Sequence, residues 1–326
     1  MDRIIITGGN GFIGRHLVKK ILSCKLSSIA LIANTANIDD KHFAGKKLRP
    51  HAPLAFYAAD IRDGKAISDI LRAERPDTCI HLAAKISVAD SIQNPAETMD
   101  INVKGTLNIL KACHNSGIKN FVFASSAAVY GDVKELPISE NQTLRPLSPY
   151  GISKMLAEQH VLSYKKLKKI QNTISLRIFN VYGPGQTSES DVITKFATRL
   201  SKRLPPIIYG DGNHTRDFIS VDDVASAILL SIRAMEEPKN NYNYNLNSVP
   251  VFNIGTGTGT SIKDVAKKMI VISGLELDPI YELGSPDSKV ILHSYANTTK
   301  AKNVLDFVAK KDFEIGLREI IDQAHV

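Results

Sequence analysis

Cysteine is scarce in this 326-residue chain, and the three present, Cys24, Cys79 and Cys113, stand far apart in apolar surroundings. An odd number without CxxC spacing argues against a disulfide framework and a cysteine zinc site, and leaves the three thiols as small core side chains. The nine histidines form no HxxxH or HExxH pair, so no metal is expected. Long apolar runs are missing too: none approaches the roughly 20 residues of a membrane-crossing helix. The opening "MDRIIITGG" lacks the basic region and apolar stretch of a signal peptide. These absences lead to the expectation of a cytoplasmic protein with no membrane partner. The net charge of +8 favours anionic ligands. Its densest cluster, "KKLKK" at 165–169, has no interleaved aromatic residues. It reads as a solvated helix end beside its own negative dipole, not as a nucleic-acid surface.

What the chain does have is alternation. Short apolar runs at 3–7, 29–33, 54–58, 79–83, 120–125 and 173–178 read as strands buried on both faces. Helical patterns lie between or after them at 12–23, 65–74, 95–116 and 149–168. This is the pattern of an α/β fold, a Rossmann-type doubly wound parallel sheet. After residue 180 the loops lengthen, with helices near 192–202, 221–235, 261–273 and 298–304, and no linker or repeat intervenes. The expected division is a dinucleotide-binding domain at 1–178 and a smaller, mainly substrate-binding α/β lobe at 179–326. Parts of 217–256 are expected to return to the first domain. The Asn-rich stretch 236–250 reads as a surface loop before the strand "VFNIG".

"TGGNGFIG", residues 7–14, follows the first strand and opens a helix. Its Gly9-x-Gly11-x-x-Gly14, with Gly8 just before, allows a tight turn and brings backbone N–H groups close to a pyrophosphate. About 20 residues further on, a dinucleotide site for NAD carries Asp or Glu on the ribose. Here the second strand ends in Ala33 and Asn34, and no cation for a 2′-phosphate stands nearer than Lys41. Asn34 offers a weaker contact to a ribose hydroxyl, and NAD versus NADP stays open. Asp60 in "AADIRD" reads equally as an acceptor for the adenine amine or as a cap for the helix that follows. "GTGTGT" at 255–260 imitates a phosphate loop but lacks the Lys-Ser/Thr that such a loop requires.

In "SPYGISKMLAE", Tyr150 and Lys154 stand four apart on one helix face. An ammonium one turn away is expected to lower the phenol's pKa, and such a tyrosine moves a proton on and off an alcohol. "FVFASSAAVYG" places Ser125 and Ser126 at the carboxyl end of the fifth strand, where a doubly wound sheet binds ligands.

The ordered set "TGGNGFIG", "ADIRD", "HLAA", "NPAETMDINVKGTLNIL", "FASSAAVYGD", "SPYGISK", "LRIFNVYGPGQ", "YGDGNHTRDFISVDDVA" and "NIGTGTGTS" resembles the extended short-chain dehydrogenase/reductase family. Within it, the chain is similar to the NAD-dependent nucleotide-sugar 4-epimerases. The resemblance implies a catalytic base at Tyr150. It implies Lys154 on the nicotinamide ribose and Ser126 on the sugar 4-oxygen. Gly8, Gly11, Phe12, Ile13, Gly14, Asn34, Asp60, Ile61, Leu82, Ala83, Ala84, Asn102 and Ser125 would line the cofactor. Asn180 would touch the diphosphate, Tyr209 the base and Arg216 a phosphate. Ser294 would stand beside the sugar C2 substituent, its small side chain admitting a 2-acetamido group. "GTGTGT" would be structural. A homodimer through helices 95–116 and 149–168 is also implied.

Two departures stand out: the Ala33–Asn34 turn, and the absence of an arginine in "GSPDSKVILHSYAN", where Lys289 is the nearby cation. Related dehydratases and decarboxylases carry acidic residues after the catalytic serine or threonine, where this chain has Ala127 and Ala128. The expected activity is a nucleotide-sugar 4-epimerase with a nucleotide-sugar substrate. An NADPH-dependent 4-keto-sugar reductase is the alternative, and a non-catalytic dinucleotide-binding regulator a third class.

Overall fold

Alternate isoleucines of the first strand enter different cores. Ile4 and Ile6 pack with Leu31, Val122 and Leu176 on one face of the central sheet, and Ile5 packs with Ile32, Phe121 and Phe123 on the other. A strand covered on both sides reads as a continuous apolar run, which is why these segments show no polar alternation. The computed structural model describes residues 3–23, 28–34, 54–187, 191–237, 250–284 and 291–324. Cys24, Lys41, Lys289 and most of the 236–250 stretch lie outside the described residues.

Six of the sheet strands are β1 (Arg3–Thr7), β2 (Ser28–Ala33), β3 (Leu54–Ala58), β4 (Thr78–His81), β5 (Asn120–Ser126) and β6 (Asn172–Ile178). They lie in the order β3-β2-β1-β4-β5-β6, and strand Val251–Ile254 adds a seventh place beyond β6. Every pairing is parallel. The order reverses between β1 and β4, the switch point at which such sheets bind ligands. Helix α1 (Phe12–Ser23) covers one face together with helix Val221–Glu236, whose Val224 and Ile228 join the same core as Leu17 and Ile21. Helix α2 (Gly64–Glu74) covers the other face through Ile67 and Leu71.

Several features differ from the sequence reading. Strand β4 ends at His81, and residues 82–84 leave the ladder to face the cavity described below. A short helix, α3 (Val88–Gln93), precedes α4 (Pro95–Met99). The single helix expected at 95–116 is α4, a π-helical stretch Asp100–Lys104 and α5 (Gly105–Asn115). Gly105 lies so close to Ile61 that a Cβ there would stand 2.6 Å from its Cδ1. The cap of α2 is Asp63, which accepts from the N–H groups of Lys65 and Ala66 at 3.0 Å, so Asp60 is free for another task. Helix Phe313–Ala324 has no counterpart in the sequence reading. Cys79 and Cys113 are buried free thiols of the core.

The smaller lobe has its own core, with Phe196, Phe218, Met269 and Leu317 at its centre. Its glycine-rich turn holds no phosphate role. Thr256 N–H (2.8 Å), Thr256 Oγ1 (2.7 Å) and Gly257 N–H (2.9 Å) all donate to the Asp217 carboxylate, as does Ala296 N–H (3.1 Å). The turn is thus filled by an internal anion. Among the described residues no helix is long and apolar enough to cross a membrane.

Asp217→Ala should leave these buried donors unsatisfied and cost about 3 kcal/mol. A urea midpoint equal to that of the parent protein would contradict this account.

Candidate active site

A cavity of about 720 Å³ opens at the carboxyl edge of the sheet, over the switch point. The turn after β1 forms its floor. Gly8 has φ of +71°, and a Cβ on it would meet the Ala83 nitrogen at 2.8 Å. A Cβ at Gly14 would meet the Gly8 oxygen at 2.4 Å. Only glycine allows this approach, and it leaves backbone exposed to a ligand at the N-terminus of α1. Gly8, Gly11, Phe12, Ile13, Gly14, Asn34, Asp60, Ile61, Leu82, Ala83, Ala84, Ser125, Ser126, Tyr150, Lys154 and Asn180 all line the cavity.

Asn102 does not line it, contrary to the sequence expectation. It is 2 % exposed and works from behind. Its amide accepts from Lys85 N–H (2.8 Å) and donates to Lys85 C=O (2.9 Å), clamping the chain just after the cavity-lining alanines. It also donates to Ser153 Oγ (2.9 Å), whose hydroxyl donates to the Tyr150 carbonyl (2.7 Å).

At the edge beside Asn34, Ala59 N–H donates to Ala33 C=O (2.8 Å), so the ends of β2 and β3 lie together. The Asp60 carboxylate accepts a fork from Arg62, with Nε at 3.1 and 3.0 Å and Nη2 at 2.6 Å. That guanidinium holds the Asp60 carboxyl below its usual range. Lys85 pairs with Glu97. Both cations at this end of the cavity are therefore engaged by carboxylates. Among the described residues at this end, Arg62 and Lys85 thus leave no unengaged cation for a 2′-phosphate, which suits an unphosphorylated ribose.

Helix α6 (Pro149–Lys166) starts on Ser148, whose Oγ accepts from Gly151 N–H (3.1 Å), with Pro149 in the first turn. Ser91 of α3 accepts from Tyr150 N–H (3.1 Å). Lys154 is buried, its Nζ 4.7 Å from the centre of the Phe123 ring, and burial brings its pKa down to about 8. Glu158, one turn on, opposes that shift. The Tyr150 phenol departs from expectation. Burial raises its pKa, and the Ser126 hydroxyl, not the Lys154 ammonium, draws it part of the way back. Ser126 Oγ also accepts from Ala128 N–H (3.2 Å).

Below these residues lies His81. Thr106 Oγ1 donates to Asn102 C=O (2.6 Å), so it accepts from His81 Nε2–H (2.9 Å), and Thr7 Oγ1 donates to Nδ1 (2.6 Å). Burial, aided by the Lys154 charge, lowers the imidazole to about 3 and keeps it neutral.

The remaining expected residues lie in the smaller lobe, outside this cavity. Arg216 and Ser294 are brought together as partners in one strand register. Arg216 Nη1 donates to Thr215 C=O (2.9 Å), and burial lowers its pKa. Ser294 is 8 % exposed. Tyr209 ends a separate strand, Ile207–Tyr209, and is 41 % exposed. Sequence reasoning did not single out the lining residues Asn10, Arg62, Lys85, Glu97, Gln186 and Asp191. Asn10, Arg62, Glu97 and Gln186 stood inside motifs already quoted, "TGGNGFIG", "ADIRD", "NPAETMDINVKGTLNIL" and "LRIFNVYGPGQ"; for Lys85 and Asp191 nothing in the spacing signals a role.

The model of the NAD-dependent epimerase/dehydratase family matches residues 4–247. A putative UDP-glucose 4-epimerase of Methanocaldococcus jannaschii is 41 % identical over 240 residues, 73 % of this chain and 75 % of that protein. The crystal structure of a Thermotoga maritima UDP-glucose 4-epimerase with UDP-glucose is similar at a TM-score of 0.85 and 33 % identity, covering 98 % of both chains. A UDP-N-acetylglucosamine 4-epimerase from Methanobrevibacter ruminantium, in complex with UDP-N-acetylmuramic acid, gives a TM-score of 0.85 at 30 % identity, covering 98 % of this chain and 97 % of that one.

His81 has a pH signature. Its folded pKa, about 3, lies below the ordinary 6.5, so the unfolded chain binds the extra proton between these values and stability falls as pH falls from about 6.5. From about pH 7 to 5 this one group should cost about 2 kcal/mol. The unfolding free energy from urea titrations should fall by that much less in His81→Gln over the same range; equal falls would contradict it.

Proposed function

Because the chain belongs to the NAD-dependent epimerase/dehydratase family, we propose that it is a nucleotide-sugar 4-epimerase. Its substrate is a UDP-hexose or the 2-acetamido form, and its cofactor is NAD. The observation that carries this reading is the convergence of Ser126, Tyr150 and Lys154 on one end of a cavity whose other end is a glycine turn.

The glycine turn and the N-terminus of α1 hold the diphosphate of the cofactor. Asp60 and Ile61 meet the adenine, Asn34 the adenosine ribose and Lys154 the nicotinamide ribose. NAD, when held there, would supply an acceptor and donor for the sugar C4 hydride and would not be consumed over the cycle. Tyr150 removes the proton of the sugar 4-hydroxyl and later returns it to the 4-oxygen. Ser126 donates a hydrogen bond to that oxygen, and the Lys154 ammonium supplies the positive charge a phenolate requires. The 4-keto sugar must present its other face between the two half-reactions. Ala127 and Ala128, which form the turn after Ser126, provide no carboxylate for elimination, which favours epimerisation over dehydration.

In the smaller lobe Arg216 takes a phosphate of the substrate, Tyr209 its base and Ser294 the neighbourhood of the sugar C2 substituent. Asn180 reaches the diphosphate from the cavity wall. Residues 1–178, with the helix Val221–Glu236 and strand Val251–Ile254 that return to their sheet, serve the cofactor, and the rest of 179–326 mainly the sugar nucleotide. The protein works in the cytoplasm as a homodimer. Leu110 of α5 is buried against the sheet. Met99, Val103 and Leu107 are half-buried, and Ile92 and Leu156 are 58 % and 38 % exposed. That leaves an apolar surface for a second copy. The engagement of Arg62 and Lys85 by carboxylates weighs against an NADPH-dependent reductase. The intact Ser126, Tyr150 and Lys154 set weighs against a regulator.

Tyr150→Phe should keep its nucleotide and lose about 10²- to 10⁴-fold in kcat; full activity would remove Tyr150 from the mechanism. The nucleotide released from the purified protein by denaturation should be NAD by mass. An empty site that takes NADPH in preference would establish the reductase instead. UDP-N-acetylglucosamine should be turned over; turnover of UDP-glucose alone would refute the role given to Ser294.

A further inference from the structure

Glu158 takes no part in the reaction proposed above, yet its side chain is fully buried. Oε2 accepts from Ser125 Oγ at 2.7 Å. Oε1 accepts from Arg177 Nη2 at 2.6 Å, and Arg177 Nε lies 3.2 and 3.1 Å from the two oxygens. Ser125 and Arg177 are neighbours in the register of β5 and β6. Arg177 Nη1 is held in turn by the Tyr130 hydroxyl and the Glu140 carbonyl, both at 3.0 Å. Tyr130 donates to Asn253 Oδ1 at 2.6 Å.

The carboxylate thus sits where three elements meet, and each carries part of the site. Ser126 follows Ser125 on β5. Ile178, which lines the cavity, follows Arg177 on β6. Lys154 stands one turn before Glu158 on α6. A buried ion pair is a poor device for stability alone, because apolar side chains of like volume do as well or better. Its placement needs another reason.

The groups that face Lys154 supply one. Phe123 of β5 presents its ring. His81 of β4 is neutral. Tyr150 shares α6, and the Arg177 charge of β6 is spent on the Glu158 fork, with Tyr130 at its far side. Glu158 is therefore the anion that acts on the buried ammonium. We infer that Glu158 is a positioning residue: its carboxylate aligns Ser126 with α6 through Ser125 and Arg177, and its charge keeps Lys154 protonated beside the cavity.

The inference rests on the epimerase reading for its consequence in catalysis, but the Lys154 titration that tests its charge does not. Glu158→Gln keeps the shape and an acceptor for Ser125 while removing the charge. The Lys154 amine is titrated by NMR in nucleotide-free protein labelled on lysine nitrogen, with Lys154→Arg identifying the signal. The midpoint, about 8 in the parent protein, should fall by about one pH unit in Glu158→Gln. The basic limb of kcat with UDP-glucose should move down by the same amount, with KM within about twofold. Equal midpoints would overturn the inference. Because Glu158→Gln leaves Arg177 unpaired, Glu158→Gln/Arg177→Gln removes both charges of the pair; its Lys154 midpoint should also fall, by less than in the single variant, and a midpoint equal to that of the parent protein would overturn the electrostatic role. Ser125→Ala, which leaves the ion pair whole, should lower kcat about tenfold at unchanged KM, and an unchanged kcat would overturn the alignment role. A parent protein that turns over no nucleotide sugar would sink the epimerase reading while the Lys154 midpoints still decide the electrostatic one.

Discussion

The contact on which this site depends involves no side chain. The backbone of Gly8 lies against that of Ala83, and Gly14 against Gly8 and Gly9. Two loops at the switch point of the sheet are pressed together so closely that a single methyl group would part them. That packing aims the N-terminus of α1 into the cavity and fixes where the chain after β4 must run. The cavity exists because these loops have nothing between them.

From this contact a polar chain runs to the other end of the site. Thr7, the last residue of β1, donates to His81, and His81 donates to Thr106. Thr106 donates to the Asn102 carbonyl, Asn102 to Ser153, and Ser153 to the carbonyl of Tyr150. The π-helical stretch Asp100–Lys104 carries Asn102 at the middle of that chain. A π-bulge rotates the residues beyond it, and such bulges are frequent at functional sites. Here it lets one asparagine clamp the loop after β4 and also reach α6. The cofactor end and the proton-transfer end of the cavity are thus tied by buried hydrogen bonds, not by packing alone.

Much of this was legible in the residues. Strands buried on both faces leave an unambiguous apolar run, so β1 and β3 stand where the pattern placed them. The glycine turn and the Tyr150–Lys154 spacing are local signals, because their geometry is set within a few residues. What the sequence hid depends on distant partners. Even close by, Asp60 reads equally as an adenine acceptor or a cap until Asp63 is seen to take the cap and Arg62 to fold back on Asp60. The tuning of Tyr150 reads as the work of Lys154 until Phe123 is seen beneath the ammonium and Ser126 beside the phenol. Asn102 reads as lining until its amide is found on Lys85. The π-helical stretch has no periodicity of its own, and α3 is too short to show one.

The strand Val251–Ile254 gives the fold an order in time. It pairs with β6, but helix Val221–Glu236 and much of the smaller lobe lie between them in the chain. Asn253, in that strand, also closes the network around Arg177 through Tyr130. A ribosome making this protein therefore releases a sheet whose last edge stays open, with the Tyr130 hydroxyl lacking its Asn253 acceptor, until more than three-quarters of the chain has been synthesised. Through that interval the nascent chain presents an unpaired edge of β6 to its surroundings. Cutting the chain between the lobes would make the same exposure permanent, so neither half is a self-sufficient unit of inheritance or engineering.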